Sequence, residues 1–109
     1  MTRAILVRDW RQTEKALQEA RAHGTSPILT TPEDAAAFYG AGYLGALQRR
    51  AREEFPDVDF RLIVDCGDAA GYALACLREG VKLISMREPN EKVADIARQM
   101  GAELVRRPI

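Results

Sequence analysis

Residues 60–85 read FRLIVDCGDAAGYALACLREGVKLIS, and this stretch decides the fold. Leu62-Ile63-Val64 is an unbroken branched and apolar run, which suits a strand covered on both faces. Asp65-Cys66-Gly67-Asp68 interrupts it at the end of a strand predicted over Phe60 to Val64. From about Ala69 to Glu79 the pattern is helical, Gly80 ends it, and Val81 to Ser85 is apolar again. Strand, helix and strand in so short a span make one βαβ unit, and such units join parallel strands.

The same grammar runs outward in both directions. Ala4-Ile5-Leu6-Val7 reads as a first strand, and Asp9 is placed to cap a helix through Arg21, with Thr13, Ala16, Leu17 and Ala20 at helical spacing. Gly24 stands where a left-handed C-terminal cap is needed. Pro27 to Thr30 is a brief second strand. Thr31-Pro32-Glu33-Asp34 carries a capping hydroxyl, a first-turn proline and acids near a positive helix end, so a helix is predicted to about Phe55, stopped by Pro56. Its inward face is Ala37, Ala41, Leu44, Leu47 and Ala51. Pro89 to Met100 is a further helix with Val93, Ile96, Ala97 and Met100 inward, and Leu104-Val105 is the last strand. Gly80-Val81-Lys82-Leu83-Ile84 and Gly101-Ala102-Glu103-Leu104-Val105 repeat one turn from helix through glycine into a buried strand.

Five strands alternating with helices predict a single α/β domain over residues 1–109, a three-layer sandwich on a mainly parallel five-stranded sheet of flavodoxin-like or Rossmann-like type, in the order 2-1-3-4-5. Part of a closed (βα) barrel is the alternative, although 109 residues cannot close eight strands alone.

The totals narrow the function. Apolar residues are 47% and charged residues 29%, and sixteen basic side chains balance sixteen acidic ones. Zero net charge gives no bulk attraction to nucleic acid or to an acidic membrane surface. No apolar run approaches the length of a membrane span. Met1 to Arg8 is too short and too charged for a secretory segment, so the expected compartment is a reducing cytoplasm. Cys66 and Cys76 fit neither a disulfide framework nor zinc knuckles.

Gly40-Ala41-Gly42-Tyr43-Leu44-Gly45 matches G-x-G-x-x-G, but that fingerprint needs a strand before it and a helix start after it. Here a capped helix precedes it, so the glycines are read as close packing by small residues, with a kink. The run Gln48-Arg49-Arg50-Ala51-Arg52, offset by Glu53 and Glu54, reads as a solvated helix face. His23 suits a helix C-terminus and has no nucleophile near it in sequence. Trp10, a lone tryptophan without interleaved aromatics, does not suggest base stacking.

The strongest site candidate is the carboxyl edge of the sheet, where strand ends converge. Asp9, Thr30, Asp65, Cys66, Asp68 and Ser85 are the expected ligand-binding residues. Asp9 and Asp65 would share a magnesium ion if the first and third strands were neighbours. The simpler reading is that Asp68 caps a helix and Asp65 orders its loop. Cys66, near a helix start, is either a stabilised thiolate or a small buried side chain.

Val81 to Ser85 with Gly101 to Ile109 resembles the end of response-regulator receiver domains, which carry a hydroxyl after the fourth strand and a Gly-Ala before the fifth. Asp65 falls where that family has its phosphoacceptor and Asp9 where it has an acid after the first strand. The resemblance implies magnesium binding by these two acids. Arg107 stands where the family has lysine, the first strand carries one acid rather than a pair, and the second helix is longer.

Three function classes follow: a binding or regulatory module, a receiver-like domain, and a small enzyme using the Asp65–Asp68 junction. The first is preferred, because no nucleophile–base pair or phosphate loop stands in the right context. A homo-oligomer, most simply a dimer, is expected because Ala69 to Leu77 carries no charge around its whole circumference.

Overall fold

The computed structural model describes residues 4–108. Its elements are β1 (Ala4–Leu6), α1 (Trp10–His23), β2 (Ile28–Thr30), α2 (Ala35–Tyr39), α3 (Ala41–Glu54), β3 (Arg61–Asp65), α4 (Ala70–Arg78), β4 (Leu83–Ser85), α5 (Glu91–Gln99) and β5 (Glu103–Val105). All four strand pairs are parallel. The α/β class, with helices alternating with the strands of a five-stranded parallel sheet, is as expected.

The strand order is not. It runs 1-2-3-4-5 rather than 2-1-3-4-5, so each strand lies beside its predecessor and no switch point interrupts the sheet. This is the order of successive units in a (βα) barrel. Right-handed crossovers between sequential strands wind their helices onto the same face. Packing agrees: α1 touches α3, α3 touches α4, and α4 touches α5. Every helix adds buried side chains to one core around Leu29, Leu62, Val64 and Ile84.

Register separates the two faces. Leu29, Leu62, Val64, Ile84 and Leu104 share the helix-covered face, while Leu6, Thr30, Ile63, Leu83 and Glu103 lie in a row on the other. Ile63 is buried, yet it lies outside the helix-side core.

Local signals were obeyed where one residue could satisfy them. Asp9 accepts the Gln12 amide at 2.9 Å, Gly24 closes α1 in the left-handed region at φ 64°, and Thr13, Ala16, Leu17 and Ala20 are the buried residues of that helix. The predicted long second helix is instead two. Gly40, at φ 85° and ψ 149°, breaks it between α2 and α3. The Thr31 hydroxyl does not cap α2, because it accepts the Asp65 amide at 2.9 Å and so ties β2 to β3. Ala37 is exposed, whereas Leu44, Leu47 and Ala51 are buried as expected. In α5, Val93 and Ala97 face the core, while Ile96 and Met100 are exposed because no element lies beyond that flank among the described residues.

Gln48 belongs to the core, not to a solvated face. Its amide donates to the Gly80 carbonyl at 2.6 Å and accepts from the Lys82 amide at 3.0 Å, bridging α3 to the turn between α4 and β4. Gly45 makes that approach possible: a Cβ there would lie 2.8 Å from Glu79 Cβ and 2.9 Å from its carbonyl oxygen. Gly42, three residues earlier, has open space around it. Gly45→Ala is therefore expected to cost about 1–3 kcal/mol by overpacking. Gly42→Ala should stabilise by up to about 1 kcal/mol through helix propensity. Urea unfolding of the two variants checks the contrast.

Candidate functional site

The carboxyl ends of the strands are held by one buried carboxylate. Asp65, the last residue of β3, has 3% of its surface exposed. Its Oδ2 accepts the backbone amides of Asp34 at 2.8 Å and Gly67 at 3.0 Å, and its Oδ1 accepts the Ser85 hydroxyl at 2.8 Å. Arg107 Nε lies 4.0 Å from the same Oδ1. Arg107 also donates to the Thr31 carbonyl at 3.1 Å, so the segment after β5 reaches back across the sheet to β2.

Around this centre runs a ring of opposite charges. Asp34 holds a left-handed backbone at φ 60°, which a short polar side chain tolerates better than most. Three bonding patterns stabilise it there: its amide on Asp65, its carbonyl accepting from Ala37 and Phe38, and its carboxylate on Arg87 at 3.0 and 3.2 Å. Arg87 also meets Asp68 at 3.0 Å and Glu33 at 3.8 Å. Gly67, at φ 64°, faces the Asp34 carboxylate so closely that a Cβ would collide with it.

Two cavities open beside these residues. One of about 340 Å³ lies between the ends of β4 and β5 and the start of α5, with Met86, Asn90, Ala94, Leu104 and Arg106 in its wall. The second, about 260 Å³, includes Glu33, Asp65, Arg106 and Arg107. Met86, Arg87 and Arg106 line both, so the two adjoin. Arg106 forms no ion pair with any described residue.

The six residues expected at this edge divide sharply. Asp65 and Ser85 are bonded to each other. Asp68 sits on the rim, paired to Arg87. Thr30 is buried and turns its hydroxyl to the Thr31 carbonyl. Cys66 is buried toward the core and donates to the Val64 carbonyl at 3.7 Å. Asp9 caps α1 and is not part of the cluster.

The paired-acid magnesium site is thereby corrected. With β2 between them, β1 and β3 stand about 10 Å apart, too far for two short carboxylates to share one ion. Asp65 already accepts from three donors, beside a guanidinium. Among the described residues no group of three His, Cys, Asp or Glu side chains is placed to hold a metal. The stabilised-thiolate reading of Cys66 is corrected too. Its hydrogen bond with the Cys76 thiol, and then burial, push the Cys66 thiol above the ordinary range, so it stays protonated at neutral pH.

Arg87, Arg106 and Arg107, which line the second cavity, are not among the residues expected at this edge. Arg107 was noted only where the resemblance has lysine, and isolated arginines after a strand carry no pattern of their own. No protein-family model matches the chain, and no curated protein is detectably similar to it. Among the described residues no helix is long and apolar enough to cross a membrane.

Asp65→Ala would strand two backbone amides and a hydroxyl, and should lower stability by about 3 kcal/mol in urea unfolding. Both cysteines should resist iodoacetamide at neutral pH in the folded protein and react once it is unfolded, as followed by mass spectrometry.

Proposed function

We propose that the chain is a small cytoplasmic, homodimeric binding module that takes a small ligand in the groove along the carboxyl ends of β4 and β5. The observation that carries this reading is Arg106. It lines both cavities and forms no ion pair with a described residue, beside the apolar side chains of Met86, Ala94 and Leu104 and with Glu88 and Glu91 in the same wall. A cation above apolar surface suits a ligand with a hydrophobic body and one carboxylate or phosphate. Asp65 and Asp68 form the inner end and rim of the same edge.

The binding reading is preferred to an enzyme because the groups that chemistry would need are already engaged. Asp65 is an acceptor for three donors, Asp68 is bound to Arg87, and the Cys66 thiol is buried and protonated. A receiver-like role would need Asp9 beside Asp65, which the strand order prevents. Zero net charge argues against nucleic acid as the partner.

A panel of small carboxylates and phosphates, titrated against ¹⁵N-labelled protein, tests the proposal. Amide shifts should cluster at Met86, Arg87, Ala94, Leu104 and Arg106. Arg106→Ala should weaken binding at least tenfold and leave the thermal midpoint within about 2 °C, since the side chain is exposed. Shifts clustered elsewhere would overturn it.

A further inference from the structure

We propose that the ligand of the groove is a zwitterion, an ammonium and a carboxylate on one apolar body, with Arg106 holding the carboxylate and Glu88 the ammonium. This rests on the groove reading above and names its ligand class. The larger cavity, about 340 Å³, is lined by both residues, together with Glu91 and the apolar side chains of Met86, Ala94 and Leu104. That size lies at the small end of small-molecule sites, about 300–1,000 Å³. Met86 and Leu104 pack against the core, so the fold fixes the apolar part of the wall in place.

The charges of this wall fall into two groups. Arg87 is engaged, meeting Asp34 and Asp68 at 3.0 Å and Glu33 at 3.8 Å. Arg106, Glu88 and Glu91 are exposed and form no ion pair with one another or with any other described residue. Opposite charges therefore line one cavity without closing on each other. A ligand that is only an anion would satisfy Arg106 and bring a further negative charge toward two acids, a phosphate dianion more so than a carboxylate. A ligand carrying both signs meets each charge with its opposite. Glu91 has a structural reason for its place, since it opens α5, where an acid favours the helix dipole. Glu88 precedes the helix and has no such role, so the ammonium is assigned to it.

Titration of the ¹⁵N-labelled chain with L-leucine, isocaproate and isoamylamine tests this, because the three share one branched body and differ only in charge. Leucine should bind about fivefold more tightly than either, the gain expected of one ion pair near the surface. Glu88→Gln should bring leucine down to the affinity of isocaproate and leave isocaproate no weaker. Glu88 is exposed, so circular dichroism and the thermal midpoint should not change. Leucyl-leucine carries the same two charges farther apart, and whichever of it and leucine binds more tightly names a peptide or a free amino acid as the source. If neither zwitterion binds more tightly than isocaproate, the inference falls and a groove for carboxylates stands. A preference for the zwitterion that survives Glu88→Gln overturns the placing of its ammonium. If no carboxylate, phosphate or zwitterion moves the amides of the groove, the groove reading falls and this inference with it.

Discussion

Hydrogen bonds from three separate chain segments meet on the Asp65 carboxylate. A buried carboxylate is costly unless its lone pairs are filled, and here they are filled by the loop before α2, the loop before α4 and the end of β4. Each donor is positioned by something that would otherwise have no evident reason. Asp34 takes a left-handed backbone so that its amide reaches Asp65. Gly67 takes one as well, and its missing Cβ leaves room for the Asp34 carboxylate. Thr31, by accepting the Asp65 amide, abandons its capping role and leaves α2 to start later. The carboxyl edge is thus a set of loops folded around one anion.

At the other end of the layers, α3 performs the matching service. The break at Gly40 re-aims the chain, and the absent Cβ of Gly45 lets α3 sit directly on the end of α4. Gln48 then supplies donor and acceptor to the two backbone groups flanking Val81. Polar groups left over at a helix end must find partners. Here a neighbouring helix supplies them.

Much of this was legible in the residues. Periodicity placed every strand and every helix boundary except the break at Gly40 within a few positions, because Asp9, Gly24, Gly80 and Gly101 act locally and leave little choice. What depends on distant partners was not legible. Strand order turns on which edge each crossover chooses, and the flanking residues do not encode that in any short pattern. Gln48 was hidden in a charged run, since its neighbours Arg49 and Arg50 are exposed and only its own partners across α4 make it a core residue. Ile96 and Met100 have helical spacing for burial, but burial also needs something to bury against. Asp65 stands out in the sequence by its place after the most apolar strand, and in the structure it is buried with three donors on its carboxylate. Its supposed partner Asp9 does not join it, because the pairing assumed a neighbour that β2 displaces.

The sequential strand order also bears on how the chain is made. Each strand pairs with the one that precedes it, so a growing polypeptide never has to hold an unpaired strand in reserve for a later arrival. Loop closure between neighbouring units spans one helix and no more, which keeps the entropic toll of each step modest. Emerging from the ribosome, the domain can lengthen its sheet one hairpin-sized βα step at a time, and β5 with its trailing arginine comes last, fastening the edge only after the carboxylate it approaches is already in place.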